Sequence, residues 1–168
     1  MVEQMIFLEE QRRANAPFPF VTVSTVGPAL MDFGTQEQKR EFLPRILAGE
    51  CHFSIGYSEP NAGTDLASLS TAAVKDGKEW VINGTKMFIA NGSVAKLFFV
   101  DARTNPDVGI REGSTMFLIP RDTPGLTIGR RHFPLNVPFQ NGPLSGKDVF
   151  VPLDAIIDFR VLSIPAAG

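Results

Sequence analysis

Two Asx-Gly dipeptides, Asp76-Gly77 and Asn83-Gly84, lie close together near the middle of this 168-residue chain. Between apolar runs, such dipeptides are the strongest short-range signal for a two-residue β-hairpin turn, because both central residues of that turn can take positive φ. They separate three runs, residues 69–75, 79–82 and 85–90. The pattern predicts a three-stranded antiparallel meander.

The second predicted hairpin sets which side chains share a face of that meander. A two-residue turn at Asn83-Gly84 pairs Ile82 with Thr85, Trp80 with Met87 and Glu79 with Phe88, and paired residues point to the same face. The predicted core face carries Trp80, Ile82, Met87 and Ile89, and the mixed face carries Glu79, Val81, Lys86, Phe88 and Ala90. A Phe on a mixed face requires a partner, either a helix packed over it or a ligand.

Residues before Cys51 have helical spacing. Helices are predicted over 1–13 and from Pro19 toward Phe33, the second with a kink or interruption at Pro28. A capping-box pattern over 35–38 opens a third helix, which Pro44 bends or divides and Gly49 ends. From Cys51 onward the apolar runs are short, and strands are predicted over 51–57, 96–103, 114–119 and 126–130, with 148–151 as the last. The predicted fold class is α+β, with N-terminal helices followed by an antiparallel, β-barrel-like middle domain.

Composition and charge narrow the function classes. A net charge of −2 gives no electrostatic basis for binding nucleic acid. The single cysteine, Cys51, excludes an internal disulfide, is expected as a small buried hydrophobe, and fits a reducing compartment. Because the sequence has this one cysteine and two separated histidines, no zinc site is expected. No apolar run is long enough to span a bilayer and the first residues do not resemble a signal peptide, so a cytoplasmic location is expected.

The segment 58–65 follows an apolar run and must turn, because it holds Pro60, Asn61, Gly63 and Asp65. It also carries the hydroxyls of Ser58 and Thr64. Tight turns with unpaired N–H groups can form concavities that accept anionic or carbonyl oxygens. The alternative is that this segment only connects two strands.

Three segments together resemble a known family. Residues 55–65 resemble the flavin- and thioester-contacting signature of acyl-CoA dehydrogenases, and residues 83–92 and 121–130 resemble that family's second and third signatures. The resemblance extends from Met1 to about Asp158. Residues 1–120 resemble the smaller soluble branch, whereas residues 126–157 resemble a larger bacterial fatty acyl-CoA dehydrogenase subfamily. This difference suggests the hypothesis of a chimeric, recombined or designed chain joined near residues 120–130.

The resemblance implies FAD as cofactor and oxidation of a fatty acyl-CoA to its trans-2-enoyl-CoA product in the complete protein. It assigns flavin contacts to Ile55, Tyr57, Ser58, Gly63, Thr64, Phe88, Ile89 and Ala90. It assigns a substrate contact to Thr64. Arg111, in an exposed loop, is a further candidate that could approach a nucleotide phosphate of the substrate, although an ordinary solvated surface arginine is favoured. Ala90 stands where the family commonly has a Thr, so only a main-chain contact carries over there. Glu59 and Pro60 are expected to shape the turn.

The resemblance also implies a domain division: residues 1–50 as part of an N-terminal helical domain, 51–158 as the middle β domain, and 159–168 as the truncated start of a C-terminal helical domain. In the family that last domain supplies the catalytic Glu, and no residue here matches it, so the chain alone is expected to be inactive. Expected partners are the acyl-CoA substrate, an electron-transfer acceptor protein and further copies in a dimer or tetramer. The alternative function is a non-catalytic β-domain that serves as a binding or interaction module.

Overall fold

A computed structural model describes residues 2–16, 18–132 and 141–157. Its helices are α1 (Val2–Arg13), a π-helical segment (Thr22–Val26), α2 (Gly27–Phe33), α3 (Gln36–Leu47), a 3₁₀ turn (Leu66–Ser68) and α4 (Ile110–Gly113). Its strands are β1 (Phe53–Gly56), β2 (Ala72–Asp76), β3 (Glu79–Ile89), β4 (Leu97–Arg103), β5 (Ser114–Pro120), β6 (Leu126–Ile128), β7 (Gly142–Pro152) and β8 (Ile156–Ile157). Residues 159–168, predicted to begin a further domain, lie outside the described residues.

The helical predictions are confirmed in most details. The Thr35 hydroxyl accepts a hydrogen bond from the Gln38 N–H, and the Gln38 side chain accepts one from the Thr35 N–H, which completes the capping box. The helical turns widen just before Pro28, where the Gly27 N–H bonds to the Thr22 carbonyl five residues back. Because proline has no N–H and its ring crowds the preceding turn, a π-helical segment there is its local consequence. Pro44 does not divide α3.

The strands form one sheet in the order β6-β7-β3-β2-β4-β5-β8, with β1 paired to β4. The prediction of an antiparallel, barrel-like domain is wrong in two respects. The sheet is mixed, because β4 runs parallel to both β1 and β2, and it is open, with β6 and β8 at its ends. The strand predicted over 148–151 is part of the longer β7, and it is not the last, since β8 follows it.

Asp76-Gly77 belongs to a hairpin turn, as predicted. Asp76 pairs with Glu79, so the two turn residues are Gly77 and Lys78. Gly77 has a φ of 58°, which is the left-handed conformation that a type II′ turn requires at its first central position.

Asn83-Gly84 does not form a turn, so the predicted second hairpin and its residue pairs are wrong. Strand β3 runs without interruption through both residues and pairs with β2 on one side and β7 on the other. Trp80 therefore lies opposite Lys75 and Val151, not opposite Met87. The Asn83 side chain accepts a hydrogen bond of 2.8 Å from the Asp148 N–H of β7. Asn83 pairs with Ala72 of β2, and Gly84 pairs with Gly146 of β7 after a register shift, so the neighbouring strands and not a turn satisfy the backbone of this segment.

Strands β4 and β5 are buried on both faces. Phe98 and Phe117 belong to a core cluster formed with residues of β2, β3 and β7. Phe99 and Leu118 belong to a second cluster that includes residues of α2 and α3 and Cys51, which is fully buried as predicted. The helices thus fix the position of β4, and β4 in turn fixes the neighbouring β1, which leads into the 57–65 segment.

Candidate functional site

The segment 57–65, called the 57–65 loop below, lies beside the last residues of β3. The Ser54 hydroxyl donates to the Ala90 carbonyl at 2.7 Å. The Met87 N–H donates to the Ser58 carbonyl at 2.8 Å. These bonds bring together the first two signature segments, which are far apart in sequence, and form one candidate site from the end of β1 and the end of β3.

Phe88 occupies a β-bulge at this junction. Lys86 pairs with Leu144 and Ile89 pairs with Gly142, so β3 uses one residue more than β7 over the same length. Phe88 has a φ of 56°, a left-handed conformation that is a true outlier for a bulky residue. Its side chain is 65% exposed. Bulges re-aim side chains and are common beside functional sites, and this one turns an aromatic ring toward solvent. We call residues 86–89 the Phe88 bulge.

The other residues assigned to the flavin differ in how exposed they are. The Tyr57 side chain is 38% exposed, Gly63 and Thr64 are exposed, and Ile55, Ser58 and Ala90 are half-buried. The Ile89 side chain lies in the core, so only its main chain can reach a ligand at this surface. The junction therefore presents two aromatic rings with two hydroxyl groups nearby.

Arg111, assigned to the substrate, lies exposed on the short helix α4 after β4. In the part of the chain that the structure describes, no hydrogen bond or ion pair links it to the 57–65 loop. Because β1 and β4 are parallel, the loop and α4 follow the same edge of the sheet. Its role stays a prediction.

A buried ion pair between Glu59 and Lys86 lies beneath the loop. The Lys86 Nζ is 2.9 Å from the Glu59 Oε1, and the two side chains are 2% and 3% exposed. The same Nζ donates to the Tyr57 carbonyl at 3.1 Å. Glu59 also accepts hydrogen bonds from the Ser70 N–H and hydroxyl and from the Thr71 N–H. Glu59 does shape the turn, as predicted, but Lys86 was predicted on a mixed face and received no role.

The electrostatics of this pair follow from its surroundings. Burial by itself raises the pKa of the Glu59 carboxyl, but hydrogen bonds from Thr71, Lys86 and Ser70 outweigh it and lower the pKa to about 2. Burial lowers the pKa of Lys86, and Glu59 opposes that shift. Asp101 is a second buried carboxyl near Lys86, and burial raises its pKa. Glu59, charged and fully engaged, is unsuited to remove a substrate proton.

Profiles of known protein families match both parts of the chain. Residues 54–149 match the profile of the acyl-CoA dehydrogenase middle domain, and residues 1–50 match that of the N-terminal domain. The chain belongs to the acyl-CoA dehydrogenase family. It is 42% identical over 163 residues to acyl-CoA dehydrogenase FadE29 of Mycobacterium tuberculosis, covering 93% of this chain and 40% of that protein. It is 33% identical over 156 residues to the mitochondrial long-chain specific acyl-CoA dehydrogenase of Sus scrofa, covering 90% of this chain and 36% of that protein.

Solved structures of acyl-CoA dehydrogenases have the same fold. The Tcur3481-Tcur3483 steroid ACAD matches with a TM-score of 0.88 at 41% identity, over 92% of this chain and 40% of that chain. A glutaryl-CoA dehydrogenase from Mycobacterium smegmatis in complex with FADH2 matches with a TM-score of 0.70 at 35% identity, over 78% of this chain and 33% of that chain. The chain thus spans about two fifths of the length of its first relatives.

Two further findings concern joins and membranes. The alignment with FadE29 covers 93% of the chain, so it passes through residues 120–130, and the chimeric join stays a hypothesis. Within the described residues, every helix is too short or too polar to cross a membrane.

Proposed function

We propose that this acyl-CoA dehydrogenase family chain supplies the FAD- and thioester-facing part of an enzyme that oxidises a fatty acyl-CoA to its trans-2-enoyl-CoA. The observation that carries the proposal is Phe88, a bulky residue held at positive φ with 65% of its side chain exposed. Strained conformations of this kind persist where function needs them. An exposed aromatic ring beside hydroxyl groups suits a flat, polar-edged ring system.

The residues at the junction fit a flavin. The rings of Tyr57 and Phe88 offer apolar surface, and the Ser58 and Thr64 hydroxyls can donate hydrogen bonds to its polar edge. A Cβ added at Gly63 would meet nothing within 4 Å, so the loop leaves open space at that point. We also propose Thr64 as a contact for the thioester end of the substrate, and we retain Arg111 as a second substrate contact. When bound, FAD supplies the acceptor for the hydride that leaves the substrate's β-carbon.

Removal of the substrate's α-proton needs a base that this site does not provide. The buried carboxylate of the junction is Glu59, whose oxygens accept hydrogen bonds from Ser70, Thr71 and Lys86. A carboxylate with a pKa of about 2 is also a weak base. We therefore propose that a part of the complete protein other than this junction supplies the base, and expect no turnover of acyl-CoA by this chain alone.

The partners follow from the same proposal. In α1 no residue is buried, and its side chains of Val2, Met5, Ile6, Phe7 and Leu8 are exposed. Such a surface fits burial against further protein in the complete enzyme, as in a dimer or tetramer. Electrons that reach the flavin must leave it, so an electron-acceptor protein is the remaining expected partner. We propose only the class of the acyl group, a fatty acyl chain. A comparison of straight-chain with steroid side-chain acyl-CoA substrates tests that class.

The test is an FAD titration of the purified chain, followed by flavin fluorescence and by flavin absorbance retained after gel filtration. Trp80 is a poor reporter, because it lies eight residues from Phe88 along β3, about 25 Å away. We expect about one flavin per chain, and at least several-fold weaker binding in Ser58→Ala and Thr64→Ala. Thr127→Ala, an exposed threonine of β6, is the matched control and should bind normally. A folded chain that retains no flavin would contradict this proposal and favour the interaction module.

A further inference from the structure

Lys86 and the residue that follows it, Met87, together bond to three consecutive residues of the 57–65 loop. Its Nζ bonds to the Tyr57 carbonyl and to the Glu59 carboxylate, at 3.1 and 2.9 Å. The next N–H along β3, that of Met87, bonds to the Ser58 carbonyl. The start of the Phe88 bulge is thus attached to the loop as well as to β7, with which Lys86 pairs.

The far side of the bulge is attached as well. The Ala90 carbonyl accepts the bond from Ser54 of β1, and Ile89 is anchored in the core at 1% exposure. Phe88 lies between these two fixed points. Its own side chain is mostly exposed, so its packing cannot account for a backbone conformation that most residues avoid.

We propose that the Glu59–Lys86 ion pair is a positioning device that holds Phe88 at positive φ and so aims its ring at the ligand surface. This inference rests on the proposed function for its purpose, but not for its geometry. The competing explanation is that the pair only stabilises the fold, while pairing with β7 alone sets the bulge. Both explanations predict that loss of Lys86 destabilises the chain, so stability alone does not separate them.

The difference between Gly and Ala at position 88 does separate them. At positive φ, Gly is favoured over Ala, whereas in ordinary strand conformation Ala is at least as good. In the natural background we expect Phe88→Gly to have an unfolding equilibrium constant about tenfold smaller than Phe88→Ala. In a Lys86→Met background, released from the pair, that advantage should disappear or reverse. Urea unfolding of the four variants measures it.

Two controls keep this test decisive. Asp148 also has positive φ, at 51°, but lies in β7, so its Gly-over-Ala advantage should be the same with and without Lys86→Met. If Lys86→Met alone does not fold, the double variant Glu59→Gln, Lys86→Met removes both buried charges and leaves an acceptor for the Thr71 N–H. An unchanged Gly advantage at position 88 in a folded Lys86-variant background would overturn the proposal.

Flavin affinity supplies the second readout. We expect Lys86→Met and Phe88→Gly each to weaken FAD retention at least tenfold, and their combination to add little, because both act through one ring. Full additivity would contradict positioning. If the natural chain itself retains no flavin, the proposed function fails, while the Gly and Ala comparison still decides whether the ion pair holds the bulge.

Discussion

The two Asx-Gly dipeptides, one at the turn that leads into β3 and one within β3, carry the same local signal and have different structures. Asp76-Gly77 lies at the exposed end of β2, where the chain reverses direction. Asn83-Gly84 lies between β2 and β7 and continues straight on. The difference shows that a turn signal decides the structure only where no neighbouring strand offers pairing on both sides. It also separates β3 into a hairpin end, fixed locally, and a site end, fixed by distant contacts.

The largest expected contrast between the two ends concerns their lysines. At the site end, Lys86→Met leaves the buried Glu59 carboxylate without its cation and should cost about 3–5 kcal/mol in the free energy of unfolding. At the hairpin end, Lys75 is exposed, with its Nζ 5.5 Å from the centre of the Trp80 ring. Lys75→Met should cost about 1 kcal/mol or less. Chemical denaturation of both variants checks this, and equal losses would remove the distinction between the ends.

The two glycines should also differ. A Cβ at Gly84 would lie 2.3 Å from the Thr71 hydroxyl oxygen and 2.7 Å from its Cα, at a φ of 157°. A Cβ at Gly77 would meet nothing within 4 Å and suffers only the positive φ of 58°. Gly84→Ala should therefore cost about 3 kcal/mol, and Gly77→Ala about 1 kcal/mol. Thermal melting of the two variants measures this difference in stability. A small loss of stability in Gly84→Ala would mean that β2 and β3 can separate there.

This comparison explains how much the sequence could predict. The capping box at Thr35 and the hairpin at Gly77 depend on nearby residues, and each was predicted; the burial of Cys51 was predicted from its residue type. The assembly of the 57–65 loop with Phe88 was expected only from the family resemblance. The bulge was missed because it depends on register with β7, some sixty residues later in the chain, and the role of Lys86 was missed because it depends on contacts with the 57–65 loop. Alternation along an assumed hairpin placed Lys86 on a mixed face, whereas the true register buries it.

The stability of the site end should respond to acid. Because the pKa of Glu59 is lowered to about 2 in the folded chain, its stabilising contribution is present above the unfolded pKa and is lost as pH falls from about 4.5 toward 2. The loss is on the order of 2–3 kcal/mol. In Glu59→Gln the stability should be lower at neutral pH and should fall less over that range. Urea unfolding at pH 7, 4.5 and 3 shows whether the two curves converge.

The smallest expected contrast concerns the two polar residues of the dipeptides. The Asn83 side chain accepts the hydrogen bond from the Asp148 N–H, at a point where β7 carries an extra residue opposite β3. Asn83→Ala leaves that N–H without its partner and should cost about 1 kcal/mol, moderated because solvent can reach it. Asp76→Ala removes no side-chain bond of this kind from an exposed strand end and should cost less than about 0.5 kcal/mol. Asn83→Asp keeps an acceptor in place and should restore most of the stability. Asn83→Ala could instead lose as little stability as Asp76→Ala. In that case the Asn83 side chain has no part in holding β7, and Asn83 is tolerated in β3 only because pairing with the neighbouring strands outweighs its turn preference.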